Sequence, residues 1–259
     1  MAGNRTALVT GATAGIGLAV ARALAEQGMR VFVCARDAGT LTATVEKLRA
    51  EGLEVDGTPC DVRSLPDIRR FVAAAVARYG PVDVLVNNAG RSGGGVTAQI
   101  DDATWDDVVE TNLNSVFRVT REVLTAGGMA DRPAGRIINI ASTGGKQGVV
   151  LGAPYSASKH GVVGFTKALG LELAKTGVTV NAVCPGYVET PMAERVRAGY
   201  ADIWGVTPDE VLDQFNAKIP LGRYTSPEEV AGLVCYLVSD LAAPITAQAI
   251  NVCGGLGNY

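Results

Sequence analysis

"TALVTGATAGIG", residues 6–17, sets how the rest of the chain is read. A β-branched and apolar run, Thr6 to Thr10, passes without a break into a turn with glycines at 11, 15 and 17. An amphipathic stretch, IGLAVARALAEQG, follows. A glycine turn between a strand and a helix lets the backbone approach a pyrophosphate, whose charge is stabilised at the helix N-terminus. Gly11, Thr13, Gly15, Ile16 and Gly17 are therefore the expected cradle of a dinucleotide.

The same alternation continues along the chain. Short apolar runs stand at VFVCA (31–35), VDGT (55–58), VDVLVN (82–87), RIINIA (136–141), VTVNAV (178–183) and AQAINV (247–252), with helical patterns between them. Buried, non-alternating strands separated by amphipathic helices are the signature of a parallel sheet covered on both faces. The expected fold is α/β: a single-domain Rossmann fold over 1–259, a doubly wound seven-stranded parallel sheet with helices on both faces. There is no internal repeat or low-complexity linker. The one long irregular stretch is expected at about 185–226, where Tyr187, Tyr200, Trp204 and Tyr224 suggest a lid over a substrate.

Composition narrows the chemistry. With 259 residues, 47% of them hydrophobic, the chain can bury one large core. A net charge of −3 argues against nucleic-acid binding. No apolar run reaches the roughly 18 residues of a membrane span. MAGNRTALVT lacks a secretory pattern, and five scattered cysteines read as free thiols, so the expected location is the cytoplasm. A single histidine, His160, leaves no multi-histidine metal site and little room for a Ser-His-Asp triad. The expected site has no metal.

Cofactor choice is read at the end of the second strand, where an acidic residue holds a ribose 2′-hydroxyl and a basic one a 2′-phosphate. Here the sequence is Cys34-Ala35-Arg36. Arg36 presents a permanently charged fork suited to phosphate, so NADPH is expected. Asp37 next door is the opposing signal. Asp61 and Val62 follow the third strand, where an adenine would lie. Asn88, Ala89 and Gly90 close the fourth, at the switch point where open α/β sheets bind ligands.

"PYSASKHG" (154–161) then places a phenol and an ammonium, Tyr155 and Lys159, about one helical turn apart, with Ser142 upstream. A phenol beside a fixed cation is expected to be more acidic than a free one. Such a group can protonate an alkoxide as it forms.

With TGATAGIG, NNAG, Ser142, the Tyr155/Lys159 pair and PGYVET (185–190) in order, the chain resembles the short-chain dehydrogenases/reductases over its whole length. RSGGG (91–95), ASTGGKQGVV (141–150) and the ending NVCGGLGNY are similar to the ketoreductases of bacterial aromatic (type II) polyketide synthases. The resemblance implies a catalytic group of Asn112, Ser142, Tyr155 and Lys159, with Asn112 holding a water that links Lys159 to solvent. It adds Pro185, Gly186, Val188 and Thr190 to the cofactor site. It departs at Cys253, where the family more usually carries Asp.

By the same resemblance the substrate is a poly-β-ketone tethered to an acyl carrier protein, reduced to a secondary alcohol. Pocket candidates are Ser92, Gly93, Gly94, Thr143, Gln147, Val149 and Tyr200. Ser92 replaces a proline that relatives often carry, so that loop is expected to be less rigid. An acyl carrier is acidic, so docking needs a local basic patch. Arg36, Arg63 and Arg91 follow three strands at the same sheet edge and are the candidates. A homotetramer pairing helices at 104–126 and 154–174 is also implied. The alternatives are a reductase of β-ketoacyl chains or small ketones and, more remotely, a non-catalytic NADP-binding sensor.

Overall fold

The computed structural model describes residues 5–259. The first residues of the N-terminal reading, 1–4, lie outside them. Seven parallel strands form one sheet in the order β3-β2-β1-β4-β5-β6-β7. They are β1 (Thr6–Thr10), β2 (Arg30–Cys34), β3 (Val55–Gly57), β4 (Val84–Asn87), β5 (Gly135–Ile140), β6 (Val178–Pro185) and β7 (Ala249–Val252). The order reverses between β1 and β4, which are hydrogen-bonded neighbours. Their C-terminal ends therefore frame the crevice in which such sheets bind ligands.

Alternate residues of the strands feed two cores. Ala7, Val9, Val31, Val33, Val84 and Val86 pack on α1 (Gly15–Glu26), α2 (Ala38–Ala50) and α9 (Pro227–Val238). Leu8, Phe32, Leu85 and Ile137 face α3 (Leu65–Tyr79) and α5 (Ser115–Leu124) on the other side. Because successive side chains point to opposite faces, a strand buried on both sides must be apolar throughout. Those are the runs seen in the sequence. The last run begins late: Ala247 has φ 59° and lies before the strand. No helix among the described residues is long and apolar enough to cross a membrane.

Two departures concern the site. The helix expected at 104–126 is α4 (Asp102–Val109) continued into α5 through a π-helical turn at Glu110–Asn114. The supposedly irregular stretch 185–226 is mostly helical, built from α7 (Pro191–Trp204) and α8 (Pro208–Asn216). Its start signals are Thr190 before Pro191, and a capping box in which the Thr207 hydroxyl accepts from Glu210 N. The aromatics that marked this stretch build its own small core. Tyr187 stacks on Phe215 at 4.7 Å between centroids and on Tyr224 at 5.2 Å.

Candidate active site

The glycine turn joins β1 to α1 at the switch point. Gly11 and Gly15 have φ of 67° and 53°. A Cβ at Gly17 would stand 2.3 Å from both Asn88 Nδ2 and Gly11 O, so only glycine lets α1 come this close. α1 begins at Ala14 with no side-chain cap and no acidic residue in its first turn. By contrast α2, α3, α4, α7, α8 and α9 each start with a side chain accepting from a helix amide. Its first amides therefore stand ready for an external anion, which fits the pyrophosphate of NADPH.

The residues around that turn are tied together. Thr10 Oγ1 accepts from the amides of Asn88 and Ala89, each at 3.0 Å, and Asn88 Nδ2 donates to Thr10 O and Gly11 O at 2.9 Å. Arg36 is exposed at the end of β2, and its side chain has no hydrogen bond or ion pair among the described residues. Asp37 caps α2, accepting from Thr40 N at 2.7 Å and Thr40 Oγ1 at 2.5 Å. The Asp37 carboxylate, the opposing signal in the sequence, is thus engaged locally. Across the crevice Gly186 packs on Cys253, whose Cβ lies 2.9 Å from where a Gly186 Cβ would be. Val188 is buried nearby, and Thr190 caps α7 and closes on Gly15.

The chemical group lies beside the crevice. Ser142 follows β5 and starts a single turn, Thr143–Gly145, in which its Oγ accepts from Gly144 N at 2.9 Å. Tyr155 and Lys159 lie in α6 (Ala153–Glu172). Lys159 is 5% exposed; its Nζ donates to Ile140 O at 2.8 Å and sits 5.8 Å from the Tyr155 ring centroid. A Cβ at Gly144 would lie 3.3 Å from both Ser142 Oγ and Tyr155 Cε1, so these two groups flank one small space. Asn112, fully buried in the π turn, donates from Nδ2 to Arg91 O at 3.0 Å and Ser158 Oγ at 3.1 Å. Its Oδ1 accepts from Arg91 N at 2.8 Å. A Cβ at Gly90 would be 3.3 Å from Asn112 Oδ1 and 3.6 Å from Lys159 Nζ. The π turn brings Asn112 to the same end of the sheet as Lys159, a use of π-bulges seen at functional sites.

One electrostatic expectation is reversed. Lys159 does not make Tyr155 acidic in the chain itself. Burial pushes the Tyr155 phenol up, and a hydrogen bond with Ser142 opposes this only in part. Lys159 is itself brought down to about 8 by burial. The phenol therefore keeps its proton at neutral pH, the state a proton donor needs.

The spacing residues of "YSASK" are more than small. Ser156 Oγ accepts from Val149 N at 3.0 Å, and Ser158 Oγ donates to Tyr155 O at 2.7 Å. Thr143 is buried, while Gln147 and Val149 are exposed above it. Gly93 and Gly94 meet Val108 and Leu151 too closely for any Cβ, at 2.3 Å and 1.9 Å. The Ser92 loop is further held by Gly95 N donating to Leu151 O at 2.7 Å. Tyr200 reaches from α7 to donate to Val150 O at 2.7 Å, which ties α7 to the loop before α6. Thr10, Ser158 and the carbonyls of Ile140, Val150 and Leu151 escaped sequence reasoning. Carbonyls carry no residue-type signal, and Thr10 and Ser158 read as ordinary strand and helix positions.

The arginine rim differs from the expectation of a free basic patch. Arg63 donates to Asp61 from Nε at 3.0 Å and Nη2 at 2.6 Å, and from Nη1 to Asp107 at 2.6 Å. Arg91 pairs with the other oxygen of Asp107. Asp61 is held below the usual carboxylate range chiefly by Arg63, with a smaller contribution from Arg36. Asp61, Arg63, Asp106, Asp107 and Glu110 line a cleft of about 440 Å³. Of the three arginines, Arg63 and Arg91 thus have their charge paired by these carboxylates, whereas Arg36 has no ion pair among the described residues.

The model of the short chain dehydrogenase family matches residues 5–201. A protein of Streptomyces virginiae, named as a ketoacyl reductase of the monensin polyketide synthase, is 69% identical over 99% of this chain and 98% of its own length. A Streptomyces coelicolor protein named as a ketoacyl reductase is 66% identical, with the same coverage. A crystal structure of a variant actinorhodin polyketide ketoreductase with NADPH superposes with a TM-score of 0.97 at 66% identity, covering 99% of this chain and 98% of that one. The chain belongs to the short-chain dehydrogenase family.

Proposed function

We propose that this protein is an NADPH-dependent ketoreductase that converts one ketone of a carrier-bound polyketide chain to a secondary alcohol. The observation that carries the reading is Ser142, Tyr155 and buried Lys159 grouped at the switch-point crevice beside an uncapped, glycine-rich helix start. NADPH, when bound, supplies the hydride. The glycine turn and α1 would hold its pyrophosphate, Arg36 its 2′-phosphate and Asp61–Val62 its adenine.

The chain's own residues handle the oxygen. Ser142 hydrogen-bonds the ketone oxygen, and Tyr155 donates its proton as negative charge develops there. Lys159 then stabilises the tyrosinate left behind. In a site of low effective dielectric this matters: two opposite charges about 5 Å apart, at a dielectric near 20, interact by roughly 3 kcal/mol. Asn112, fixed at three hydrogen bonds, is suited to hold a water toward Lys159 for resupply of the proton.

Ser92, Gly93, Gly94, Thr143, Gln147, Val149 and Tyr200 are assigned to the polyketide, and Arg36, Arg63 and Arg91 to the acidic carrier. A homotetramer in the cytoplasm completes the reading. It is supported by exposed apolar side chains on the two long helices, with Leu171 at 72% and Phe117 at 47%. A monomeric mass by light scattering at micromolar concentration would contradict that assembly. The activity itself is tested by NADPH oxidation with a bicyclic ketone such as decalone, compared with a simple β-ketoester. Turnover of decalone is expected; no turnover of either overturns the reading.

A further inference from the structure

Lys146 directly follows the turn that Ser142 starts, and its ammonium is fully occupied. It donates to Ala249 O at 3.1 Å, Asn251 Oδ1 at 3.1 Å and the main-chain oxygen of Tyr259 at 2.6 Å. It also lies 5.2 Å from the Tyr259 ring centroid. An ammonium has three protons, and each has an acceptor here. The acceptors are braced in turn. Asn251 Nδ2 donates to Gly257 O at 3.0 Å, and Gly257 N donates to Cys253 Sγ at 3.3 Å. Residues 251–259 thus fold back on themselves and present their oxygens to one lysine.

At its other end the tether holds the Ser142 turn. Lys146 N donates to Thr143 O at 3.0 Å and Gly145 N to Ser142 O at 2.9 Å. A Cβ at Gly145 would be 2.6 Å from Lys159 O, so the turn is wedged against α6. It is held from one side by the catalytic helix and from the other by Lys146.

We propose that Lys146 is a positioning residue: by tying the Ser142 turn to β7 and to residues 251–259, it sets the Ser142 hydroxyl against Tyr155. The inference rests on the ketoreductase reading above. Lys146 itself handles neither proton nor hydride. Its effect runs through Ser142, and geometric errors near 1 Å in such groups can cost up to about 10²-fold in rate.

The test uses Lys146→Met, which keeps the stem and removes the charge, with Lys146→Arg as the conservative variant and Asn251→Ala cutting the tether from the far side. Lys146→Met is expected to lower kcat on decalone by about tenfold while the Kd for NADPH, by fluorescence titration, stays within about twofold. Lys146→Arg should recover part of the loss. In a Ser142→Ala background the same Lys146→Met change should cost less than about twofold, because the hydroxyl it positions is gone. Amide hydrogen exchange over 143–147 should rise in Lys146→Met and in Asn251→Ala. A kcat within twofold of wild type, or an undiminished loss in the Ser142→Ala background, overturns the proposal. Should the wild-type protein reduce no ketone, the functional reading fails. Unchanged exchange over 143–147 in Lys146→Met would then overturn the tether separately.

Discussion

Arg63 and Asp107 are joined at 2.6 Å, and the second oxygen of that carboxylate is taken by Arg91. One aspartate thus holds together two of the three arginines assigned to the carrier, at a rim that also bears Asp61, Asp106 and Glu110. An acidic partner approaching it must compete with Asp107.

This pairing sets the first prediction. Arg63→Ala with Arg91→Ala should raise the KM for a carrier-bound ketone and leave a small free ketone unaffected. Asp107→Asn should act oppositely. Exposed ion pairs are worth at most about 1 kcal/mol each and Asp107 makes two, so the KM for carrier-bound substrate should fall by no more than about thirtyfold. Steady-state kinetics on both substrates at low and high salt decide it. A KM that rises in Asp107→Asn would mean that the aspartate orders the arginines rather than masking them.

Tyr155→Phe should lose about 10²-fold or more in kcat, the usual contribution of a positioned acid, while NADPH binding survives. Retention of more than about a tenth of the rate would remove Tyr155 from the role of proton donor.

Arg36→Ala should narrow the preference for NADPH over NADH, measured as the ratio of kcat/KM values. With Asp37 committed to capping α2, Arg36 is the residue assigned to the 2′-phosphate. A ratio unchanged by the substitution would place recognition elsewhere in the crevice.

The pH profile follows from Lys159. Its pKa is lowered by burial to about 8, so raising the pH through 8 discharges the ammonium that stabilises the tyrosinate. Reductive kcat/KM, which reports the free chain, should fall on that alkaline side. Stability should move the other way. Between about 8 and the ordinary lysine range the unfolded chain binds the proton and the folded chain does not, so unfolding becomes harder as pH rises. A flat kcat/KM up to pH 10 would contradict the assignment.

Beneath the site, Asn87 Nδ2 donates to Thr120 Oγ1 at 3.0 Å and to Asn139 Oδ1 at 2.9 Å, and Asn139 Nδ2 donates to Thr166 Oγ1 at 2.9 Å, all buried. This chain links α5, β4, β5 and α6. Asn87→Ala leaves buried groups unpaired, at a cost of about 1–3 kcal/mol. At about 2–4 °C per kcal/mol for a chain of this size, Tm should drop by roughly 2–12 °C. A thermal melt unchanged within 1 °C would show that water replaces the lost partner.

What the sequence determined by itself follows from local rules. Apolar runs at 6–10, 31–35, 82–87, 136–141 and 178–183 had to be doubly buried strands, because no half-exposed strand tolerates that composition. The glycines at 11, 15 and 17 had to sit where backbone meets helix or ligand. Tyr155 and Lys159 had to share a helix face, since helical geometry alone fixes that spacing. Other features depend on which distant segments meet. The π turn that delivers Asn112 is set by the packing of α4 and α5 on α6. Pairing of Arg63 and Arg91 through Asp107 joins three separate loops and helices. The raised Tyr155 and lowered Lys159 reflect loss of water, and solvation is a property of the assembled crevice. The lysine tether from Ser142's turn to residue 259 spans more than a hundred positions, and only folding brings its ends within hydrogen-bond reach.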